Sequence, residues 1–194
     1  MPGPLRVVIG EDESLIRIDL AEMLIELGYD VVGTAGDGAT VVQLVQKLRP
    51  DVAILDIKMP KLDGLTAAEQ IFEIGSTAVV MLTAFSQREL IDRAREAGAM
   101  AFLVKPVNPS DLTPALELAR ARFAEKAALE AEIGDLNQRL AARKLVERAK
   151  GVLQAQYGLD EQAAFKWLQR AAMDRRMSMA AVAEVVISEA TPGP

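Results

Sequence analysis

With 194 residues, 51 % of them hydrophobic and 26 % charged, the chain is long enough for one large or two small globular domains. It has no cysteine and no histidine, which excludes a disulfide framework, Cys/His zinc or haem sites, and Ser-His-Asp or Cys-His catalysis; any metal must sit on oxygen, as Mg²⁺ and Ca²⁺ do. The net charge of −6 divides into −9 over residues 1–138 and +3 over 139–194, so a polyanion is expected to meet the C-terminal part alone.

Five short, nearly uncharged runs read as strands buried on both faces: Leu5–Ile9, Val31–Ala35, Val52–Leu55, Ala78–Leu82 and Met100–Val104. Helical patterns fall between them at about 14–28, 38–48, 64–74 and 87–97, separated by Gly and Asp-Gly turn signals. This alternation predicts right-handed crossovers and a doubly wound α/β domain. A fifth helix is expected to start near Asn108–Asp111. It meets no proline between Pro114 and about Gln156. Leu112, Leu116, Ala119 and Phe123 form one apolar seam along it, and Leu129, Ile133, Leu136 and Leu140 a second, out of phase with the first. Two readings stay open: a connector packing on its own domain, or a short coiled coil that joins two copies. No apolar run approaches the roughly 18 residues of a membrane span, and no signal-peptide core is present, so a cytoplasmic protein without membrane contact is expected.

The C-terminal part predicts three helices. The first, about 139–156, carries Leu145, Val146, Ala149, Val152 and Leu153 on one stripe. The second, about 161–173, is expected to bury Ala164, Trp167, Leu168, Ala171 and Ala172, so Trp167 is read as core in preference to a stacking platform. The third carries Met179, Val182, Ala183, Val185 and Val186, with Ser178 as its N-cap. The Thr191–Pro194 tail is expected to be disordered.

The chemistry-bearing residues collect where an α/β sheet places ligands, at the carboxyl ends of its strands. Glu11 and Asp12 follow the first strand, and Asp56, Thr83 and Lys105 end the third, fourth and fifth. Three carboxylates at one sheet edge repel unless a cation lies among them, and Mg²⁺ suits an all-oxygen set. With a hydroxyl and an ammonium beside them, the set suits a carboxylate that attacks phosphorus. An Asp-based phosphatase wants a second Asp two residues on, where this chain has Lys58. A dinucleotide fold wants Gly-x-Gly-x-x-Gly after the first strand, where this chain is acidic.

Gly10-Glu11-Asp12-Glu13, Leu55–Pro60 with Asp63-Gly64, Leu82-Thr83-Ala84 and Val104-Lys105-Pro106 occur in that order over nearly 120 residues. On these motifs, residues 5–122 resemble the receiver domain of bacterial two-component response regulators. The resemblance implies a (βα)5 flavodoxin-like fold with a 2-1-3-4-5 parallel sheet. It implies Asp56 as phosphoacceptor and Mg²⁺ held by Glu11, Asp12, Asp56 and the Lys58 carbonyl. Thr83 and Lys105 would contact the phosphoryl group, Phe102 would be the switch aromatic, and Lys105-Pro106 would be cis. A sensor histidine kinase would be the phosphate source. The chain would be no enzyme beyond Mg²⁺-dependent phosphorylation and dephosphorylation of itself. Two features depart from the commoner pattern. Glu-Asp replaces Asp-Asp, and Lys58 and Phe85 lie two residues beyond Asp56 and Thr83, where they are expected to change the lifetime of the acyl phosphate.

In the C-terminal part, Arg143–Gly151, Ala163–Leu168, Arg170–Arg176 and Val182-Ala183 resemble the ANTAR domain, over about 125–190. That family is a three-helix RNA-binding module of transcription antitermination. The implied partners are RNA hairpins and the transcription machinery. Arg143, Lys144, Arg148, Lys150, Lys166, Arg170, Arg175 and Arg176 are the expected RNA-facing charges. The expected layout is a receiver at 1–122, a helical connector at 123–138, a three-helix bundle at 139–190 and a tail at 191–194. A DNA-binding regulator and a protein-interaction output are the alternatives.

Overall fold

Strand β1 (Arg6–Gly10) buries Val7 and Ile9 among one set of side chains and Val8 among another, because successive residues of a strand point to opposite faces. The computed structural model describes residues 3–84 and 88–190. In it β2 (Asp30–Ala35), β3 (Val52–Asp56), β4 (Ala78–Thr83) and β5 (Ala101–Val104) join β1 in one parallel sheet of order β2-β1-β3-β4-β5, as expected. Helices α1 (Ser14–Glu26) and α5 (Pro109–Tyr157) cover the face of Ile9, Ile54, Val80 and Leu82. Helices α2 (Gly38–Leu48), α3 (Gly64–Ile74) and α4 (Arg88–Glu96) cover the face of Val8, Leu55 and Met81. The strand order reverses at β1, which opens a crevice at the carboxyl ends of β1 and β3.

Two of these helices start on aspartate caps. Asp63 accepts from the Leu65 and Thr66 amides at 3.0 and 3.1 Å at the head of α3. Asp37 accepts from the Thr40 amide at 3.0 Å and from the Lys61 ammonium at 2.9 Å. The Thr40 amide and hydroxyl and the Lys61 ammonium hold its carboxyl down at about 2, from 3.8. A depressed pKa stabilises the fold while the group is ionised. The contribution is therefore complete above about pH 4 and is lost as the pH falls towards 2. Asp37→Asn is expected to melt below the parent at neutral pH, and the gap to close on acid titration followed by circular dichroism.

The chain forms two compact units, Met1–Ala127 and Ala128–Pro194. Helix α5 is continuous, so the expected first helix of the C-terminal part is its last stretch and has no start of its own. One Gly134 costs a helix only about 1 kcal/mol, which alanine- and leucine-rich neighbours outweigh. The first seam is core: Leu112, Leu116 and Ala119 are buried against the sheet. Leu129, Ile133, Leu136 and Leu140 are about half exposed.

In the second unit the end of α5, α6 (Glu161–Arg175) and α7 (Met179–Ala190) enclose Ala149, Leu153, Ala164, Leu168, Ala172, Val182, Ala183 and Val186. Asp160 caps α6 through the Ala163 amide at 2.7 Å, and Ser178 caps α7 through the Ala181 amide at 3.1 Å. Trp167 does not join this core; 45 % of it is exposed. It lies 100° round the helix from Leu168, beside the Ala164–Leu168–Ala172 stripe. The Thr191–Pro194 tail and Phe85 lie outside the described residues.

Candidate functional site

Asp56 is the last residue of β3 and pairs across the ladder with Leu82, which puts Thr83 one residue further on at the end of β4. Gly10 pairs with Leu55, so Glu11 and Asp12 emerge next to Asp56. One carboxylate oxygen from each of Glu11, Asp12 and Asp56 lies within 4.8 Å of the others. Asp12 is exposed, Asp56 is buried, and Glu11 has no exposed surface at all.

Lys105, just beyond β5, brings its Nζ to 2.9 Å from Asp56 Oδ2 and 2.6 Å from Glu11 Oε2. The first contact is a hydrogen bond. The second is a close ion pair to a fully buried carboxylate oxygen. Burial raises the Glu11 pKa, and the Asp56 charge adds to the effect against the opposing pull of Lys105. Burial works to lower the Lys105 pKa, but its contacts with Glu11 and Asp56 prevail and raise it. One ammonium thus faces three carboxylates. A hard divalent cation fits this all-oxygen set, and the cluster is compatible with Mg²⁺.

Two further features hold the cluster in shape. A Cβ on Gly64 would overlap the Asp56 carbonyl oxygen, and its amide donates to the Ile57 carbonyl at 2.9 Å. Only glycine lets the loop after Asp56 return this closely before α3 begins. Arg17, in the first turn of α1, donates to the Glu11 carbonyl, to the Asp12 carbonyl at 3.3 Å and to Ser14 Oγ at 3.2 Å. Arg17 belongs to none of the sequence motifs at this edge of the sheet. Its signal is a cation in the first turn of a helix, where the macrodipole disfavours positive charge, five residues after the acidic pair ends.

Thr83 is buried, and its carbonyl accepts from the Lys105 amide at 2.8 Å. The Lys105-Pro106 peptide is cis. Lys58 is exposed near the acidic cluster. Phe102, opposite Met81 on β5, is half-buried against the α2–α4 side of the sheet.

The basic residues of the second unit divide. Arg143, Lys144, Arg148, Lys166, Arg170, Arg175 and Arg176 are exposed. Lys150 is buried, and its ammonium is held at 2.9 Å by both Glu147 and Glu161, which ties α5 to α6. The expectation that Lys150 faces RNA is thereby corrected: its charge is matched inside the unit and its stem is packed. Large side chains lie among the exposed cations instead, with Phe165, Trp167 and Met173 all 43 % exposed or more.

Residues 7–117 match the family model of the response regulator receiver domain, and residues 134–187 match that of the ANTAR domain. The chain is a receiver–ANTAR response regulator. It is 59 % identical over 184 residues to the transcriptional regulatory protein PdtaR of Mycobacterium tuberculosis (strain H37Rv), covering 95 % of this chain and 90 % of that one. The chemotaxis protein CheY of Thermotoga maritima is 35 % identical over 112 residues, 57 % of this chain and 93 % of that protein. Among solved structures, a signal receiver domain of a modulated diguanylate cyclase from Desulfovibrio desulfuricans superposes with a TM-score of 0.59 at 30 % identity, covering 63 % of this chain and 98 % of that one. A CheX-CheY-BeF3-Mg+2 complex from Borrelia burgdorferi gives 0.56 at 28 % identity, over 59 % of this chain and 87 % of that one. As a receiver–ANTAR protein, the chain is a response regulator with an RNA-binding output, and its role is regulatory. Among the described residues, no helix is long and apolar enough to cross a membrane.

Proposed function

We propose that this response regulator takes a phosphoryl group on Asp56 from a sensor histidine kinase in the cytoplasm and in response controls transcription antitermination through RNA hairpins. The observation that carries the reading is the buried Glu11–Asp56–Lys105 cluster with Asp12 beside it and Thr83 on the neighbouring strand end. The Asp56 carboxylate attacks phosphorus, the bond from phosphorus to the histidine nitrogen breaks, and an aspartyl phosphate forms. Lys105 exchanges its contact with the carboxylate for one with the phosphoryl oxygens, and the Thr83 hydroxyl turns towards them. Glu11, Asp12, Asp56 and the Lys58 carbonyl would hold Mg²⁺, which supplies positive charge against the phosphoryl oxygens when bound. Lys58 and Phe85 adjust how fast water reaches the acyl phosphate. Phe102 moves inward when Thr83 does, which alters the α4–β5–α5 side of the receiver.

Seven exposed cations, Arg143, Lys144, Arg148, Lys166, Arg170, Arg175 and Arg176, supply the RNA-facing charge. Residues 123–138 serve as the connector between a receiver at 1–122 and an output domain at 139–190. The exposed 4-3-4 stripe of Leu129, Ile133, Leu136 and Leu140 favours pairing with a second copy.

The test is hairpin-RNA binding by the parent and by Asp56→Ala, with and without Mg²⁺ and a small phosphodonor. Tighter binding on phosphorylation in the parent alone is the expected result. Equal responses in both proteins would overturn the coupling, and duplex DNA competing as well as hairpin RNA would favour a DNA target. Arg17→Ala is expected to weaken Mg²⁺ binding about tenfold in a calorimetric titration, because it frees the carbonyls that orient the two acidic ligands.

A further inference from the structure

The receiver unit carries a second concavity, of the opposite charge. Phe72 of α3, Arg95 of α4, Gly98, Phe102 of β5, and Arg122 and Lys126 of α5 line a groove of about 650 Å³. It lies beside the residues that lead into β5, at the amino end of that strand. Asp56 ends β3, so in a parallel sheet the groove and the acidic cluster occupy opposite ends.

Three cations and two aromatic rings line this groove, and none of the described lining residues is acidic, although residues 1–138 carry a net −9. The groups are already set in place. Arg122 donates to the Met100 carbonyl at 2.7 Å, which fixes its guanidinium and leaves its other N–H groups to the groove. The Lys126 ammonium lies 3.6 Å from the centroid of Phe72. Gly98 has φ +88°, and a Cβ there would overlap the Phe72 ring, so glycine lets the ring seat against the turn. Arg95 makes only a 3.9 Å contact with Asp92, both side chains being well exposed. Two arginines and a lysine along one groove favour an anionic ligand there. The fork of an arginine suits the oxygens of a phosphate. The volume falls within the range of small-molecule sites, and the Phe102 ring offers a base an apolar surface.

We propose that this groove binds a small phosphorylated ligand of the nucleoside diphosphate class. Arg95, Arg122 and Lys126 take the phosphates, and the base lies towards Phe102. Such a ligand bridges α3, α4, β5 and α5, the elements around the proposed switch aromatic. None of the groove's described lining residues belongs to the acidic cluster.

The probe is guanosine diphosphate, titrated calorimetrically into the full chain with a metal chelator present, so that the acidic cluster cannot hold the nucleotide through a cation. Saturable binding near one equivalent is expected, with none for guanosine. Arg95→Ala combined with Arg122→Ala should weaken binding about tenfold or more, as losing charge-assisted hydrogen bonds implies. Lys126→Gln serves as a second, independent variant, and matching melting curves show that both variants fold. Arg148→Ala with Arg170→Ala in the output unit should leave binding unchanged. Absence of saturation, equal binding of guanosine, or a loss confined to the output-unit variant would each overturn the proposal, the last by placing the nucleotide on the RNA surface.

Discussion

Lys105→Ala is expected to destabilise the receiver unit by about 3 kcal/mol in the absence of divalent cations. The lysine is the only cation within ion-pair distance of Glu11 among the described residues, and it also neutralises Asp56. Removing it leaves two buried carboxylates facing each other with Asp12 at their edge. Two further measurements separate this cause from lost packing. Asp56→Asn in the same background should recover much of the stability, because it removes one of the repelling charges. Saturating Mg²⁺ should recover it too, since a ligand at about one hundred times its Kd adds about 2.7 kcal/mol. Chemical unfolding of the single and double variants, with and without Mg²⁺, gives the full cycle. A variant that loses stability equally in every arm would mean that the lysine stem, and not its charge, matters.

Trp167→Ala is expected to weaken hairpin-RNA binding about tenfold while leaving the melting temperature of the output unit nearly unchanged. The indole is 45 % exposed and lies three residues from Arg170, which puts the two side by side on α6. An exposed ring next to a guanidinium is how proteins hold an unpaired base, and each base stacked on an aromatic contributes about 1–3 kcal/mol. Trp167 is the only tryptophan in the chain, so quenching of intrinsic fluorescence reports the contact directly. A large loss of stability with unchanged affinity would return Trp167 to the core.

The receiver was legible because its signals are local and redundant. Short uncharged runs bounded by turn signals, such as Val52–Leu55, favour strands covered on both faces, and polar residues that end such runs fall on one edge of the sheet. The structure ends β3 and β4 on Asp56 and Thr83, as expected, and differs in detail at Lys105, which lies one residue beyond β5. Arg17 was not legible because its partners are main-chain carbonyls, which no pattern of side chains announces. Lys150 and Trp167 were misjudged for one shared reason. Residue type says what usually happens at a surface, but an edge position on a helical wheel is decided by what the next helix brings. Glu161 of α6 meets the lysine, and a core made of small residues leaves no room for the indole. Continuity of α5 past Gly134 depends on a sum of small preferences along 49 residues, which a boundary signal at one position does not convey.

Four of the eight buried residues at the centre of the output unit are alanines: Ala149, Ala164, Ala172 and Ala183. Methyl groups at those positions set the spacing of three helices, so a larger side chain there must push a helix away. The seven exposed cations and the exposed edge of Trp167 lie outside that frame. Scaffold and reading surface are therefore separable in this unit. Exchanging exposed residues on α6 offers a route to a regulator of different RNA preference that folds as this one does, whereas the alanines define the part that a designer, or a diverging lineage, must leave alone.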